Sequence, residues 1–296
     1  MNSPPESIPI VRYIGIDIHK YYVMVGGQNR SRKWVLRPRR IQISRFRDWA
    51  EKNFHPTDAV VIEATGSVWD IYDIVQPLVG KILVANARKI RQIAEARVKT
   101  DKKDIERMIN QLLSGVVPEV WVPPVHVREL RSLISFRWRV NKQLTMSKNR
   151  LHSVVQRFNL DLPDGGLLTD QNRSWWEKQE FSDLTRFEVE QELEIVAQLE
   201  EKKDAIDQKL AELSNTEPWA SDMVFLMQIP GMGLILSMVV LSAIGDITRF
   251  PHPKNLVSYA GISAGVHTSG ETNRSKPITI TEGTHSERGG KSCAGP

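Results

Sequence analysis

The sequence predicts an α/β fold built on a mixed five-stranded sheet, and two observations lead to this class. Short, β-branched apolar segments recur along the first third of the chain, with the clearest at Val11–Lys20, Ala59–Glu63 and Lys81–Ala85. Segments with the apolar periodicity of an amphipathic helix separate the later strand-like segments. The predicted elements therefore follow the order βββαβαβα.

The first three strands precede any predicted helix. Val11–Lys20 is apolar on both sides, as expected of a strand buried on both faces of a sheet. Tyr21–Gly26 and Lys33–Leu36 follow as the second and third strands. The pair Gly26-Gly27 and the polar residues 29–31 are turn signals, so these strands are predicted to form an antiparallel meander.

Helices then alternate with the last two strands. The predicted elements are a helix capped by Ser44 and ending near Asn53, a fourth strand Ala59–Glu63, a helix opened by Thr65–Ser67 and ending at Leu78, a fifth strand Lys81–Ala85, and a basic helix Ala87–Arg97. This order is that of the ribonuclease-H-like fold, which carries carboxylates on its first and fourth strands.

Four acidic residues are the candidate site. Asp17 interrupts the first strand and Glu63 ends the fourth, while Asp101 and Asp104 stand three residues apart in a helix that Thr100 can cap. Oxygen donors of this kind hold one or two Mg²⁺ ions in phosphodiester chemistry. The structural alternatives are that Asp17 merely ends a strand and that the two aspartates favour a helix start.

Cations surround these acidic residues. The predicted nucleic-acid-binding residues are Arg97, Lys99, Lys102 and Lys103, within a basic stretch that runs from Arg88 to Arg107. Cations beside a carboxylate cluster suit a phosphate backbone. Simple charge compensation is the alternative.

Composition limits the class of protein. The 296 residues favour two domains, and the net charge of +5 permits a polyanionic partner without requiring one. A single cysteine, Cys293, excludes an intrachain disulfide framework and fits a reducing cytosol. No secretory signal is visible, and the apolar run Leu234–Ile244 is too short to span a bilayer. We therefore expect a soluble protein without a membrane partner.

Two long helices are predicted in the middle of the chain. Val125 to about Phe158 is basic, and it is interpreted either as a nucleic-acid-tracking helix or as a surface helix with Trp138 in the core. Phe187–Leu213 repeats apolar residues at heptad spacing, with Lys203 interrupting one row. This pattern predicts a coiled-coil arm, paired within the chain or, as we favour, between subunits.

The C-terminal segment begins with a turn motif. Leu226–Gly233, followed by an apolar helix to Ile244, has the pattern of a helix-hairpin-helix. Gly231 and Gly233 allow the backbone to approach a phosphate, and the amides of the next helix can bind it.

Six ordered motifs carry a resemblance to a known family. They are Gly15–Lys20, Ile62–Gly66, Lys99–Asp104, Ile229–Gly233, Tyr259–Gly261 and Ser269-Gly270. Together they resemble the DEDD transposases of the IS-one-ten insertion-sequence family, which are bridge-RNA-guided recombinases. The resemblance implies a RuvC-like DEDD domain at 8–160 that includes the basic helix, a coiled-coil arm at 183–216, and a transposase domain at 222–296.

The resemblance also implies residue roles. Asp17, Glu63, Asp101 and Asp104 would bind Mg²⁺, and Ser269 would be the nucleophile that becomes linked to a DNA end. His267 would share a side with Ser269 in an extended segment, as a proton relay or as a surface histidine. DNA, a guide RNA and a homo-oligomer formed through the coiled coil, a dimer or tetramer, are the implied partners. The implied setting is a prokaryotic cytoplasm, in association with the nucleoid.

The tail departs from the family pattern. Glu271 replaces an expected glycine, and a family helix containing Leu-Arg-Trp-Ala is missing after Gly283. Ser292–Pro296 can be encoded so that the same bases, read two positions later, give Leu-Arg-Trp-Ala. We therefore expect the tail from about Thr284 to be an out-of-frame or truncated sequence, disordered, in a copy of uncertain activity.

Two further functional interpretations remain open. A RuvC-like structure-specific DNA endonuclease would use the carboxylates alone, with Ser269 structural. An inactive nucleic-acid-binding remnant would use only the basic helices. An actin-like ATPase is disfavoured because no second glycine-rich phosphate motif is present.

Overall fold

A computed structural model describes residues 9–87, 100–168 and 173–261, together with the backbone of 266–269 and 272–275. The described residues fall into two compact units, which divide between Val122 and Pro123. Each unit is described by itself below.

The first unit contains a mixed five-stranded sheet, which confirms the predicted class. Its strands are β1 (Arg12–Ile18), β2 (Tyr22–Asn29), β3 (Trp34–Gln42), β4 (Asp58–Glu63) and β5 (Lys81–Ala85), in the spatial order β3-β2-β1-β4-β5. β1, β2 and β3 are antiparallel, while β4 runs parallel to β1 and β5 parallel to β4.

Helices cover both faces of this sheet. They are α1 (Ile43–Asn53), α2 (Val68–Val75), which a 3₁₀ turn Gln76–Leu78 extends, and α3 (Asp101–Ser114). α1 and α2 pack on the face that carries Ile14, Ile16 and Ile62. α3 packs on the opposite face, against Met24 and Val61. Because side chains alternate along a strand, each strand contributes to both cores.

The glycine pair lies inside a strand, which corrects the predicted turn. β2 continues through Gly26 and Gly27 to Asn29, and the hairpin turns at Arg30–Lys33 instead, with Arg32 at a φ of 61°. A Cβ on Gly26 would lie 3.0–3.1 Å from side-chain atoms of Ile105, Pro38 and Trp34. Glycine is needed there because α3 and β3 approach the strand closely.

Two predicted helix starts have different outcomes. Ser44 is not a cap, since α1 begins at Ile43 after Gln42 and no side chain caps it. Thr100 caps α3 as predicted, because its hydroxyl accepts a hydrogen bond from the Lys103 backbone amide at 3.4 Å.

The second unit is mostly helical. Its elements are α4 (Val125–Arg157), α5 (Arg173–Glu177), α6 (Asp183–Ser214), α7 (Ala220–Leu226), α8 (Leu234–Ile244), a 3₁₀ turn Ile247–Arg249, α9 (Pro253–Tyr259), and a hairpin of β6 (Val266–Ser269) and β7 (Thr272–Ser275). Within the described ranges, no helix combines the length and the apolar character needed to cross a membrane.

α4 and α6 form an antiparallel pair inside the chain. The apolar rows of α6, including Val196, Leu199 and Ile206, are buried. Ion pairs link the two helices, and residues later in α4 pair with residues earlier in α6, as expected of antiparallel helices. The pairs are Arg137 with Asp207, Lys148 with Glu200, Arg150 with Glu192, and Arg157 with Glu188. α4 covers this seam, so the structure shows the predicted alternative of pairing within the chain, and a contact between subunits stays a prediction.

Many of the basic side chains of α4 therefore bind other parts of the second unit. Four of its cations bind α6 carboxylates, and Arg131 donates hydrogen bonds to the carbonyls of Ser242 and Ala243. Trp138 is 56% exposed, so the interpretation that placed it in the core is wrong.

The Arg137–Asp207 pair predicts a pH-dependent stability. Hydrogen bonds from Arg137 hold the pKa of Asp207 below its usual value, against an opposing effect of burial. A lowered carboxyl pKa stabilises the fold above the unfolded-state value, and this contribution is lost as the pH falls through the folded-state value. We expect Asp207→Asn to cost about 1 kcal/mol at pH 7.

Urea unfolding at pH 7 and at pH 3 measures this effect. The wild-type and Asp207→Asn midpoints should converge at the lower pH. Asp204→Asn is the matched control, because Asp204 lies in the same helix with its side chain 78% exposed. A gap between wild type and Asp207→Asn that is the same at both pH values would refute the assignment.

Candidate carboxylate site

Asp17 and Glu63 lie at the carboxyl ends of neighbouring parallel strands. The β1–β4 register runs to the Ile16–Ile62 pair, and the two acidic residues come next on each strand. Both alternate with residues of the α1–α2 core, so both face α3. Glu63 is 8% exposed, and Asp17 is partly buried. The structure therefore places these two predicted residues on one face and at one end of the sheet.

α3 lies across this face because Gly15 lets it approach. A Cβ on Gly15 would be 3.1 Å from the carbonyl oxygen of Ile105. Asp104 directly precedes Ile105 and is 5% exposed, and Asp101 is the first residue of the helix. The first turn of α3 thus carries the other two predicted carboxylates on the same side of the sheet.

Asp101 is held by residues of the antiparallel strands. The Arg40 guanidinium donates to its Oδ2 at 3.0 Å, and the Tyr22 hydroxyl lies 3.4 Å from the same oxygen. Arg40 also stacks over the Tyr22 ring at 4.8 Å. Asp104 receives a hydrogen bond from Arg107 at 2.6 Å. Arginines therefore compensate the charges of Asp101 and Asp104.

His19 is a site residue that the sequence analysis did not identify. Its Nε2 lies 3.2 Å from Asp17 Oδ2, although not in hydrogen-bonding geometry, and its ring stacks on Tyr22 at 4.4 Å. Tyr22 in turn reaches Asp101, so His19 and Tyr22 link two carboxylates. The signal was available, because residues two apart on a strand share a face.

The four carboxylates share one face without forming a closed cluster. Across residues 9–87, 100–168 and 173–261, no three His, Cys, Asp or Glu side chains are close enough to hold a metal ion. The donor set itself suits a hard divalent cation, because all four side chains offer carboxylate oxygens.

The predicted phosphate-binding residues fall into three groups. Lys102 and Lys103 are exposed in the first turn of α3, with Lys102 Nζ 6.0 Å above the Trp34 ring. Gly231, with a φ of 86°, and Gly233 form the turn between α7 and α8, and no atom lies within 4 Å of a Cβ added at either. Arg97 and Lys99 lie outside the described residues.

Ser269 is the last residue of β6. It pairs with Thr272 on β7, and His267 pairs with Arg274. The hairpin therefore places Ser269 beside its turn. The atypical tail from about Thr284 lies outside the described residues.

Comparisons with known proteins point to one class. A family model described as "Transposase IS116/IS110/IS902 family" matches residues 223–286, and a DEDD transposase model of the IS110 type matches residues 14–160. Putative transposase y4qE of Sinorhizobium fredii (strain NBRC 101917 / NGR234) is 25% identical over 217 residues, which are 73% of this chain and 53% of the relative. The transposase for insertion sequence element IS1533 of Leptospira borgpetersenii is 24% identical over 254 residues, 81% of this chain and 73% of the relative. The chain thus spans about half the length of y4qE.

Proposed function

Since the chain belongs to the IS116/IS110/IS902 family of transposases, we propose that it moves an insertion sequence by cutting and rejoining DNA strands. The proposed machinery is a RuvC-like carboxylate site of Asp17, Glu63, Asp101 and Asp104, together with Ser269 as nucleophile. The family membership supports the reaction class. The roles of the individual residues are part of our proposal.

One observation carries the carboxylate part of the proposal. Asp17 and Glu63 stand on adjacent parallel strands, on the face that α3 covers with Asp101 and Asp104 in its first turn. Four carboxylates from three separated segments rarely converge on one face of a sheet for structural reasons alone, because each costs desolvation energy. A shared divalent cation, which we expect to be Mg²⁺, gives that arrangement a function.

The cation would be held by the four carboxylates. When bound, it would supply Lewis acidity to the scissile phosphate and stabilise the leaving oxygen. The chain's own residues hold the carboxylates at this end of the sheet: Tyr22 and Arg40 contact Asp101, Arg107 contacts Asp104, and His19 lies against Asp17.

Ser269 performs a transesterification in this proposal. Its Oγ attacks the phosphorus of a DNA phosphodiester, and one deoxyribose oxygen leaves as a hydroxyl that takes up the proton lost by the serine. One phosphodiester linkage is exchanged for a phosphoserine linkage, so no oxidant or nucleotide is consumed. Attack on the phosphoserine by the hydroxyl of another strand rejoins the DNA and regenerates Ser269.

Choice of DNA sequence is proposed to lie outside this chain. A guide RNA that pairs with donor and target DNA would supply it, as the resemblance implies. A dimer or tetramer would bring the two DNA partners together. The seam between α4 and α6 is closed within the chain, so such an assembly needs another surface.

Incubation with DNA that carries both ends of the chain's own insertion sequence, and with RNA transcribed from its flanks, tests the proposal. With Mg²⁺ we expect nicked DNA and a protein–DNA adduct that survives denaturation with detergent. With EDTA instead, both products should be lost and then return when Mg²⁺ is added in excess. Equal adduct formation in EDTA would refute the metal-dependent mechanism.

A further inference from the structure

A second basic surface lies in the first unit, formed by residues outside the helices singled out in the sequence. Residues 30–47 contain eight Lys or Arg residues and no Asp or Glu. We call this set the basic edge, and all eight members are exposed: Arg30, Arg32, Lys33, Arg37, Arg39, Arg40, Arg45 and Arg47. Within the described part of the chain, Arg40 is the member that forms an ion pair.

The basic edge follows one side of the sheet. β3 is an edge strand whose neighbour in the sheet is β2. Arg37, Arg39 and Arg40 lie on β3, three further members lie in the turn that precedes it, and Arg45 and Arg47 lie in the helix that follows. The basic residues therefore follow one another along three consecutive elements.

The basic edge borders the candidate carboxylate site. Arg40 binds Asp101 at 3.0 Å, and Lys102 lies 6.0 Å above the ring of Trp34, the first residue of β3. A chain of phosphates bound along β3 would therefore arrive at the first turn of α3. This continuity identifies the kind of partner that the surface fits.

We propose that the basic edge binds the phosphate backbone of the DNA strand that enters the carboxylate site. The proposal rests on the proposed function and adds the surface that positions the substrate. Charge complementarity carries it: seven exposed cations without an ion pair to described residues attract a polyanion, and neutralised phosphates release counterions.

Protection of the sheet edge explains only part of this charge. Edge strands often carry cations and proline, which block pairing with other chains, and β3 carries both. Arg30, Arg32 and Lys33 lie in the turn, however, and Arg45 and Arg47 lie in α1, where no strand edge needs protection. Their shared sign favours a common ligand.

The test uses the full chain without divalent metal, so that only binding is measured. Fluorescence anisotropy follows a labelled 30-base-pair DNA duplex, of arbitrary sequence, over a series of salt concentrations. Arg37→Gln with Arg39→Gln should reduce the slope of log affinity against log salt by about 1.8 and weaken binding about 10- to 100-fold at 0.1 M salt. Lys178→Gln with Lys202→Gln removes the same charge from exposed sites of the second unit and should change neither quantity.

Three results would overturn the proposal. The first is an unchanged salt slope in the Arg37/Arg39 variant, and the second is an equal change in the Lys178/Lys202 control. The third is a loss confined to an RNA duplex of the same sequence, which would make the edge an RNA surface. If edge protection is the sole role, the Arg37/Arg39 variant should self-associate in size-exclusion chromatography and keep its salt slope.

Failure of this proposal is distinguishable from failure of the proposed function. Asp17→Asn should abolish cleavage and leave the salt slope intact, because Asp17 contributes no positive charge to DNA binding. A normal salt slope in the Arg37/Arg39 variant, with cleavage still dependent on Asp17, would refute the basic edge alone. A weakened slope together with cleavage that survives Asp17→Asn would refute the carboxylate site alone.

Discussion

Replacing Asp17 with Asn is expected to slow DNA strand cleavage by about 10³-fold, which corresponds to about 4 kcal/mol of lost transition-state stabilisation. Asn has nearly the same volume as Asp and can remain in the β1 position beside Met24. It loses the charge that a divalent cation requires. Cleavage of the insertion-sequence ends, followed under single-turnover conditions, measures the effect.

Asp48→Asn is the matched control for this variant. Asp48 lies exposed in α1, whose core residues pack on the opposite face of the sheet, so its removal should leave cleavage within about twofold of wild type. Circular dichroism and the urea midpoint should show that both variants fold. A folded Asp17→Asn protein that cleaves at the wild-type rate would remove Asp17 from the mechanism.

Replacing Ser269 with Ala is expected to abolish the covalent protein–DNA adduct and to reduce strand transfer by at least about 10³-fold. The variant removes a single hydroxyl oxygen at the end of β6. Binding of the DNA duplex and its salt dependence should be unchanged, because no cation is lost. Denaturing gel electrophoresis of labelled DNA detects the adduct.

Ser275→Ala tests whether the effect is specific to position 269. Ser275 lies on β7 of the same hairpin, opposite Val266, and its removal should leave the adduct intact. A Ser269→Ala protein that still nicks DNA at the normal rate, without an adduct, would favour the RuvC-like endonuclease, in which water is the nucleophile.

The sheet could be predicted from sequence because three of its strands carry a strong signal. β1, β4 and β5 are short, apolar and rich in β-branched residues, and the observed bounds lie within a few residues of the predicted ones. β1 and β4 lie inside the sheet and are buried on both faces, so local sequence and tertiary environment favour the same structure.

The hairpin of β2 and β3 was harder to predict. Pro38 and three arginines hide the second half of β3, because proline and charge are rare in central strands and are tolerated at an edge. Gly26 and Gly27 resembled a turn, yet α3 and β3 pack so closely that a side chain there would collide. Both errors arise from contacts between residues distant in the chain.

The acidic residues of the candidate site were predicted from the sequence, but the residues that contact them were not. Carboxylates at strand ends are visible in the sequence because they interrupt apolar runs. His19 could have been identified from its spacing two residues after Asp17. Tyr22 and Arg40 gave no comparable signal, because each contacts Asp101 from a strand distant in the chain. The partner of α6 was missed for a similar reason, because a heptad pattern reveals a buried seam without identifying the covering helix.

Metal-directed cleavage of the polypeptide tests most directly whether the four carboxylates share one ion. Fe²⁺ with ascorbate and peroxide replaces Mg²⁺ and cuts the backbone beside its ligands, so the fragments report which segments surround the ion. We expect cuts near Asp17, Glu63 and the Asp101–Asp104 turn together, all suppressed by excess Mg²⁺ and all lost in Asp17→Asn. Cuts confined to one of these segments, or cuts that persist unchanged in Asp17→Asn, would contradict a shared site.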